Sequence, residues 1–128
     1  MKLAYIDTSC LVAVAFDEPG AEGISRRLRR FDRLFSSNLL EAELRSVFAR
    51  EGVQEQAAAP LLSWLTWVYP NRPLTEEFDR IIAAGYVKGA ELWHLANALF
   101  LDPERSDLTF LTLDRRQRQV AARLGFTR

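Results

Sequence analysis

Four apolar residues, Leu3-Ala4-Tyr5-Ile6, run directly into Asp7-Thr8-Ser9 and then into a second apolar stretch over residues 10–16. A short apolar run without polar alternation reads as a strand buried on both faces, and Asp, Thr and Ser are good residues for starting a helix. A strand covered on both sides needs helices on both sides, which excludes an open antiparallel sheet. The remaining pattern repeats this theme. Asp17-Glu18-Pro19-Gly20 stops the first helix, and a second helix is expected over residues 21–31. Leu34-Phe35-Ser36-Ser37-Asn38 reads as a second strand with a cap, followed by an amphipathic helix over 39–50 that closes at Gly52. A helical stretch is expected over 57–68, ended by Pro70 and Pro73, and another from Thr75 toward Tyr86. Residues 90–101 are apolar on nearly every side and predict a buried helix. Leu108 to Leu113 predicts a buried strand, Asp114 opens a last basic helix to Leu124, and Gly125 suits the position after its end. The fold class expected is α/β with a mostly parallel sheet.

The chain has 128 residues, enough for one core, and it shows no repeat, low-complexity segment or linker, so residues 1–128 are read as a single domain. Seventeen basic residues balance seventeen acidic ones, so net charge gives no sign of a nucleic-acid partner. The distribution is less even. Arginines gather at 26, 27, 29, 30 and 33, and again at 115, 116, 118 and 123; solvated helix faces are the plain explanation. Cys10 is the only cysteine, which excludes an internal disulfide and a cysteine-based zinc site. Aspartate at position 7 comes too early for a secretory signal core, and no apolar run reaches membrane-spanning length, so a cytoplasmic protein with no membrane partner is expected.

Four acids occupy unusual places. In a parallel α/β sheet, ligands bind beyond the carboxyl ends of the strands. Asp7 follows the first strand and Asp114 closes the last, although each also suits a helix start. Glu43 falls three residues after Leu40 and four before Val47, on the apolar face of its helix. A carboxylate there must be paired, protonated or metal-bound, and a salt bridge to a buried arginine is the plain alternative. Glu41 differs, because Arg45 lies four residues on and makes a surface pair. Glu91 begins the most apolar helix, where an acid is favoured by the helix dipole. Together the four acids are expected to converge at one rim of the sheet.

Carboxylates brought close together need a compensating cation, and oxygen donors alone suit hard ions such as Mg²⁺ or Mn²⁺. Such an ion lowers the pKa of a bound water and neutralises charge on a phosphodiester in the transition state. Other chemistries fit poorly. His94 is the only histidine, and a surface or core position on its helix explains it without a Ser-His or Cys-His nucleophile. No Gly-rich phosphate loop is present.

The ordered pieces Ile6-Asp7-Thr8-Ser9, Ser36-Ser37 leading into Glu43-Leu44, Ala90-Glu91-Leu92-Trp93-His94-Leu95-Ala96-Asn97-Ala98-Leu99, Phe110-Leu111-Thr112-Leu113-Asp114 and Ala121-Ala122-Arg123-Leu124-Gly125 resemble the PIN-domain family, and within it the VapC-type toxins of bacterial toxin–antitoxin pairs. The resemblance implies a three-layer α/β/α sandwich with strand order 3-2-1-4-5 and Mg²⁺- or Mn²⁺-dependent cleavage of RNA. It implies Asp7 and Glu91 as main metal ligands, Glu43 and Asp114 completing an acidic pocket, and Thr8, Ser9 and Thr112 supporting by hydrogen bonds. Position 91 departs from the pattern, where aspartate is usual. The family further implies an antitoxin partner and a homodimer. In the stretch from residue 57, Leu61, Trp64, Leu65 and Val68 share one helical face while Leu62 and Trp67 fall away from it. Trp67 is therefore a candidate partner contact, with core on both faces as the alternative.

Two rival functions differ in kind. An aspartyl-nucleophile phosphotransfer site would want a second aspartate at position 9, where Ser9 stands, or a late lysine, and Lys2 and Lys88 are the only lysines. A PIN-like module that binds RNA or protein without cutting rests on the glutamate at position 91.

Overall fold

A computed structural model describes residues 1–127. Four parallel strands form one sheet: β1 (Leu3–Ile6), β2 (Arg33–Ser37), β3 (Leu65–Val68) and β4 (Leu108–Leu111), in the order β3-β2-β1-β4. Tyr5 lies between Phe35 on one side and Phe110 on the other, so β1 is the central strand that hydrophobic continuity predicts. Among the described residues seven α-helices surround the sheet: α1 (Thr8–Ala15), α2 (Ala21–Leu28), α3 (Leu39–Arg50), α4 (Ala59–Leu62), α5 (Thr75–Ala84), α6 (Gly89–Leu101) and α7 (Arg115–Leu124).

Strand pleating sorts the core into two halves. Ala4, Ile6, Leu34 and Leu111 pack with Cys10, Leu11, Leu28, Leu40, Leu44 and Phe48 from α1, α2 and α3. Tyr5, Leu108 and Phe110 point the other way, among Ile81, Leu95, Leu99 and Val120 from α5, α6 and α7. Helices therefore cover both faces, giving the expected α/β/α sandwich. Gly125 closes α7 at φ +105°, in the left-handed region where a Cβ is unfavourable.

Two expectations are corrected. The helix expected over 57–68 is a 3₁₀ turn (Glu55–Ala58), the single turn of α4, and then strand β3. Trp67 accordingly sits on a strand, half-buried against the α1–α3 half of the core, and is no part of an exposed helical face. Pairing with β2, from Leu34–Leu65 to Ser37–Val68, outweighs the helical spacing of Leu61, Trp64 and Leu65. The strand order 3-2-1-4 is as expected, but no fifth strand forms among the described residues. A single parallel bridge between Thr109 and Thr127 stands beside β4 instead.

Candidate active site

Because all four strands run the same way, the residues following β1 and β4 emerge at one edge of the sheet. Asp7 is the first of these and is only 6% exposed. It starts α1, yet its side chain makes no capping bond. Its oxygens are taken up by hydroxyls: Ser9 Oγ donates to Oδ1 at 2.6 Å, and Thr112 Oγ1 lies 2.7 Å from Oδ2. Burial pushes the Asp7 carboxyl above the ordinary range, and the bonds from Ser9 and Thr112 only partly offset it. Proton counting gives the same direction. Thr112 Oγ1 accepts from Asp114 N, and it also lies 2.8 Å from Gln117 Oε1 as well as against Asp7. One hydroxyl proton cannot serve two oxygen acceptors. The count closes when Asp7 carries a proton toward Thr112 and Thr112 donates to Gln117.

Glu91 and Asp114 form the second group. Glu91 lies in the first turn of α6, and its Oε1 accepts from Lys88 N at 2.9 Å. Asp114 caps α7, its Oδ1 accepting from Gln117 N at 2.7 Å. The helix-start role expected for each is thus real, and it does not exhaust them. Burial, and then the adjacent Asp114 carboxylate, raise the Glu91 pKa against the pull of Lys88. Buried Gln117 fixes the spacing: its Nε2 donates to Glu91 O at 3.2 Å while its Oε1 meets Thr112.

Glu43, on α3, is two-thirds covered, and its partner is neither arginine nor a carboxylate. Thr8 Oγ1 donates to Glu43 Oε1 at 2.6 Å, and His94 Nε2 approaches the same oxygen at 3.2 Å. Behind His94 the chain continues inward. Ser37 N donates to the Tyr5 hydroxyl at 3.0 Å, and that hydroxyl lies 2.8 Å from His94 Nδ1. Burial raises the Tyr5 pKa, so the phenol keeps its proton. With Ser37 donating to it, Tyr5 gives that proton to Nδ1, leaving Nε2–H for Glu43. The His94 bond, ahead of the Thr8 bond, holds the Glu43 carboxyl below its ordinary range.

Thr8 is thus bonded to Glu43, Ser9 and Thr112 to Asp7, and Thr112 to Asp114. The acids do not form one closed cluster. Among the described residues no group of three or more His, Cys, Asp or Glu side chains is arranged to hold a metal ion. Glu91 and Asp114 meet, Asp7 is joined to Asp114 through Thr112, and Glu43 is turned to His94. In kind the donors fit a hard divalent cation, since they are carboxylate oxygens and two of them repel each other. Three contributors escaped the sequence reading: Tyr5, His94 and Gln117. His94 lies three residues after Glu91 and Tyr5 two before Asp7, but nothing in the sequence pairs the two, because their contact depends on how α6 packs on β1.

The family model for the PIN domain matches residues 4–123 of this chain. The chain belongs to the PIN-domain family. Curated proteins give no match. The match takes in all but the first residue of β1, the whole of β2, β3 and β4, and all four acids. Its family is generally one of metal-dependent nucleases, and the edge of the sheet carrying Asp7, Glu91 and Asp114 is where such chemistry belongs in a parallel fold.

Proposed function

We propose that this PIN domain is a divalent-metal-dependent endoribonuclease, and the toxin of a type II toxin–antitoxin pair of the VapC type. The observation that supports the nuclease reading is the pair of neighbouring carboxyl groups Glu91 and Asp114, with buried Asp7 joined to Asp114 through Thr112: the repulsion between such a pair is relieved by a cation. Asp7, Glu91 and Asp114 would hold Mg²⁺ or Mn²⁺, which when bound supplies a water of lowered pKa and charge neutralisation at the phosphodiester. The chain's own residues do the positioning. Ser9 and Thr112 orient Asp7, Gln117 ties α7 to α6 and to Thr112 after β4, and Thr8 with His94 fixes the Glu43 carboxylate. A cytoplasmic antitoxin and a homodimer complete the proposal. Ile82 and Tyr86 on the outer side of α5 and its exit, both more than half exposed, support an apolar partner surface.

A second reading, a PIN-like module that binds RNA or protein without cutting, has one observation in its favour. Glu91 is engaged with Lys88 N, and the acids are not gathered into a metal cage. Incubation of structured RNA with the purified protein in Mn²⁺ and in EDTA separates the two. Cleavage confined to Mn²⁺ is expected; intact RNA in both would favour the binding module.

A further inference from the structure

A cavity of about 210 Å³ opens beside the acidic edge, between α2, α7 and the end of β4. Its floor is apolar, built from Cys10, Leu28 and Leu111, with Ile24 at one wall. Arg27 from α2 and Arg118 from α7 also line it. Among the described residues neither arginine forms an ion pair, whereas the neighbouring Arg26 pairs with Glu22. Arg27 is exposed at the cavity's rim and Arg118 is half-buried against it. The arginine clusters are solvated for the most part, as expected, and Arg118 alone of them is half-buried.

The cavity shares a wall with the site. Thr112 faces both ways: its hydroxyl meets Asp7, and its carbonyl accepts from Arg118 Nη2 at 3.0 Å. The next residue, Leu113, lines the cavity and is tied back to Ser9 through its N–H. Arg118 also borders a shallow cleft along α7 with Arg115 and Arg123, so positive charge continues away from the acids along one path.

We propose that this cavity seats one unpaired nucleotide of the RNA substrate next to the scissile phosphate, its base on the apolar floor and its phosphate between Arg27 and Arg118. This rests on the nuclease reading and adds where the strand lies. Two unpaired guanidinium groups match phosphate geometry. An apolar slot flanked by arginine suits a splayed base, the usual object of single-stranded RNA recognition. The volume is enough for one heterocycle. Net charge near zero is no obstacle, because the basic path is local.

Binding of a single-stranded oligoribonucleotide to the whole protein in EDTA, which withholds the metal, followed by fluorescence anisotropy across a salt series, tests this without any turnover. Arg27→Gln and Arg118→Gln are each expected to weaken binding several-fold, and each to lower the slope of log affinity against log salt by about 0.7. Ile24→Trp, which fills the slot and leaves both arginines, should also weaken it. Arg30→Gln, on the same stretch but outside the cavity, should leave binding unchanged. Equal affinity in wild type, Arg27→Gln and Arg118→Gln would overturn the proposal, as would no binding by wild type. Retained RNA affinity with loss of binding to a protein partner would also overturn it, by making the cavity a protein-docking surface. Oligonucleotide binding that follows this pattern, without cleavage in Mn²⁺, would remove the nuclease reading and keep the cavity's occupant.

Discussion

Asp7 is the most deeply buried of the four acids. Its carboxyl is raised by burial, so the folded protein binds its proton more tightly than the unfolded chain does. Between the unfolded carboxylate pKa and the higher folded value the native state holds more protons, and stability falls as pH rises. Asp7→Asn removes that dependence. Metal-free Asp7→Asn is expected to melt at or above the wild-type temperature at neutral pH, the gap closing as pH drops below the ordinary carboxylate range; a variant melting lower at neutral pH would show Asp7 to be a net stabiliser. Tyr5 makes a complementary case. Tyr5→Phe leaves Ser37 N and His94 Nδ1 without their buried partner, a loss of about 1–3 kcal/mol in denaturant unfolding. An unchanged midpoint would mean that the inner chain from Ser37 to Glu43 contributes nothing. Neither Tyr5 nor His94 was legible as a site residue. Their roles depend on which strand neighbours which helix, and a lone histidine on an apolar helix carries no such address.

At the scale of elements, legibility followed the length and purity of each pattern. β1, α3, α6 and β4 were readable because each buries a continuous or periodic apolar set. β3 was not, because four residues of strand after one turn of helix share spacing with a longer helix, and only pairing with β2 decides between them. Helix starts show the opposite difficulty, since one acid serves two ends. Glu91 caps the start of α6 and faces Asp114. Glu91→Gln retains the acceptor for Lys88 N and removes the repulsion, so stability should shift by no more than about 1 kcal/mol. Cleavage should nonetheless fall sharply, because a hard cation requires the charge. Glu91→Asp keeps that charge and should retain substantial activity. Single-turnover cleavage by both variants checks this; equal rates for Glu91→Gln and wild type would reduce Glu91 to a capping residue.

For the whole molecule, the parallel order β3-β2-β1-β4 brings Asp7 and Asp114, which follow β1 and β4, to one edge, and that much was legible because strand-end acids in a parallel sheet have one place to go. The separation within the cluster was not legible. It depends on Glu43 choosing His94 and Thr8, and on Asp7 choosing Ser9 and Thr112, which are rotamer-level outcomes. The central claim is that the Asp7, Glu91 and Asp114 carboxylates hold a divalent ion used to cut RNA. The direct measurement is RNA cleavage by wild type and Asp7→Asn across a Mn²⁺ titration, with EDTA as the zero point. Wild type should cut with a rate that saturates in Mn²⁺ and vanishes in EDTA, and Asp7→Asn should stay inactive while folded at every concentration. Cleavage by Asp7→Asn with the same Mn²⁺ dependence, or cleavage by wild type in EDTA, would contradict it.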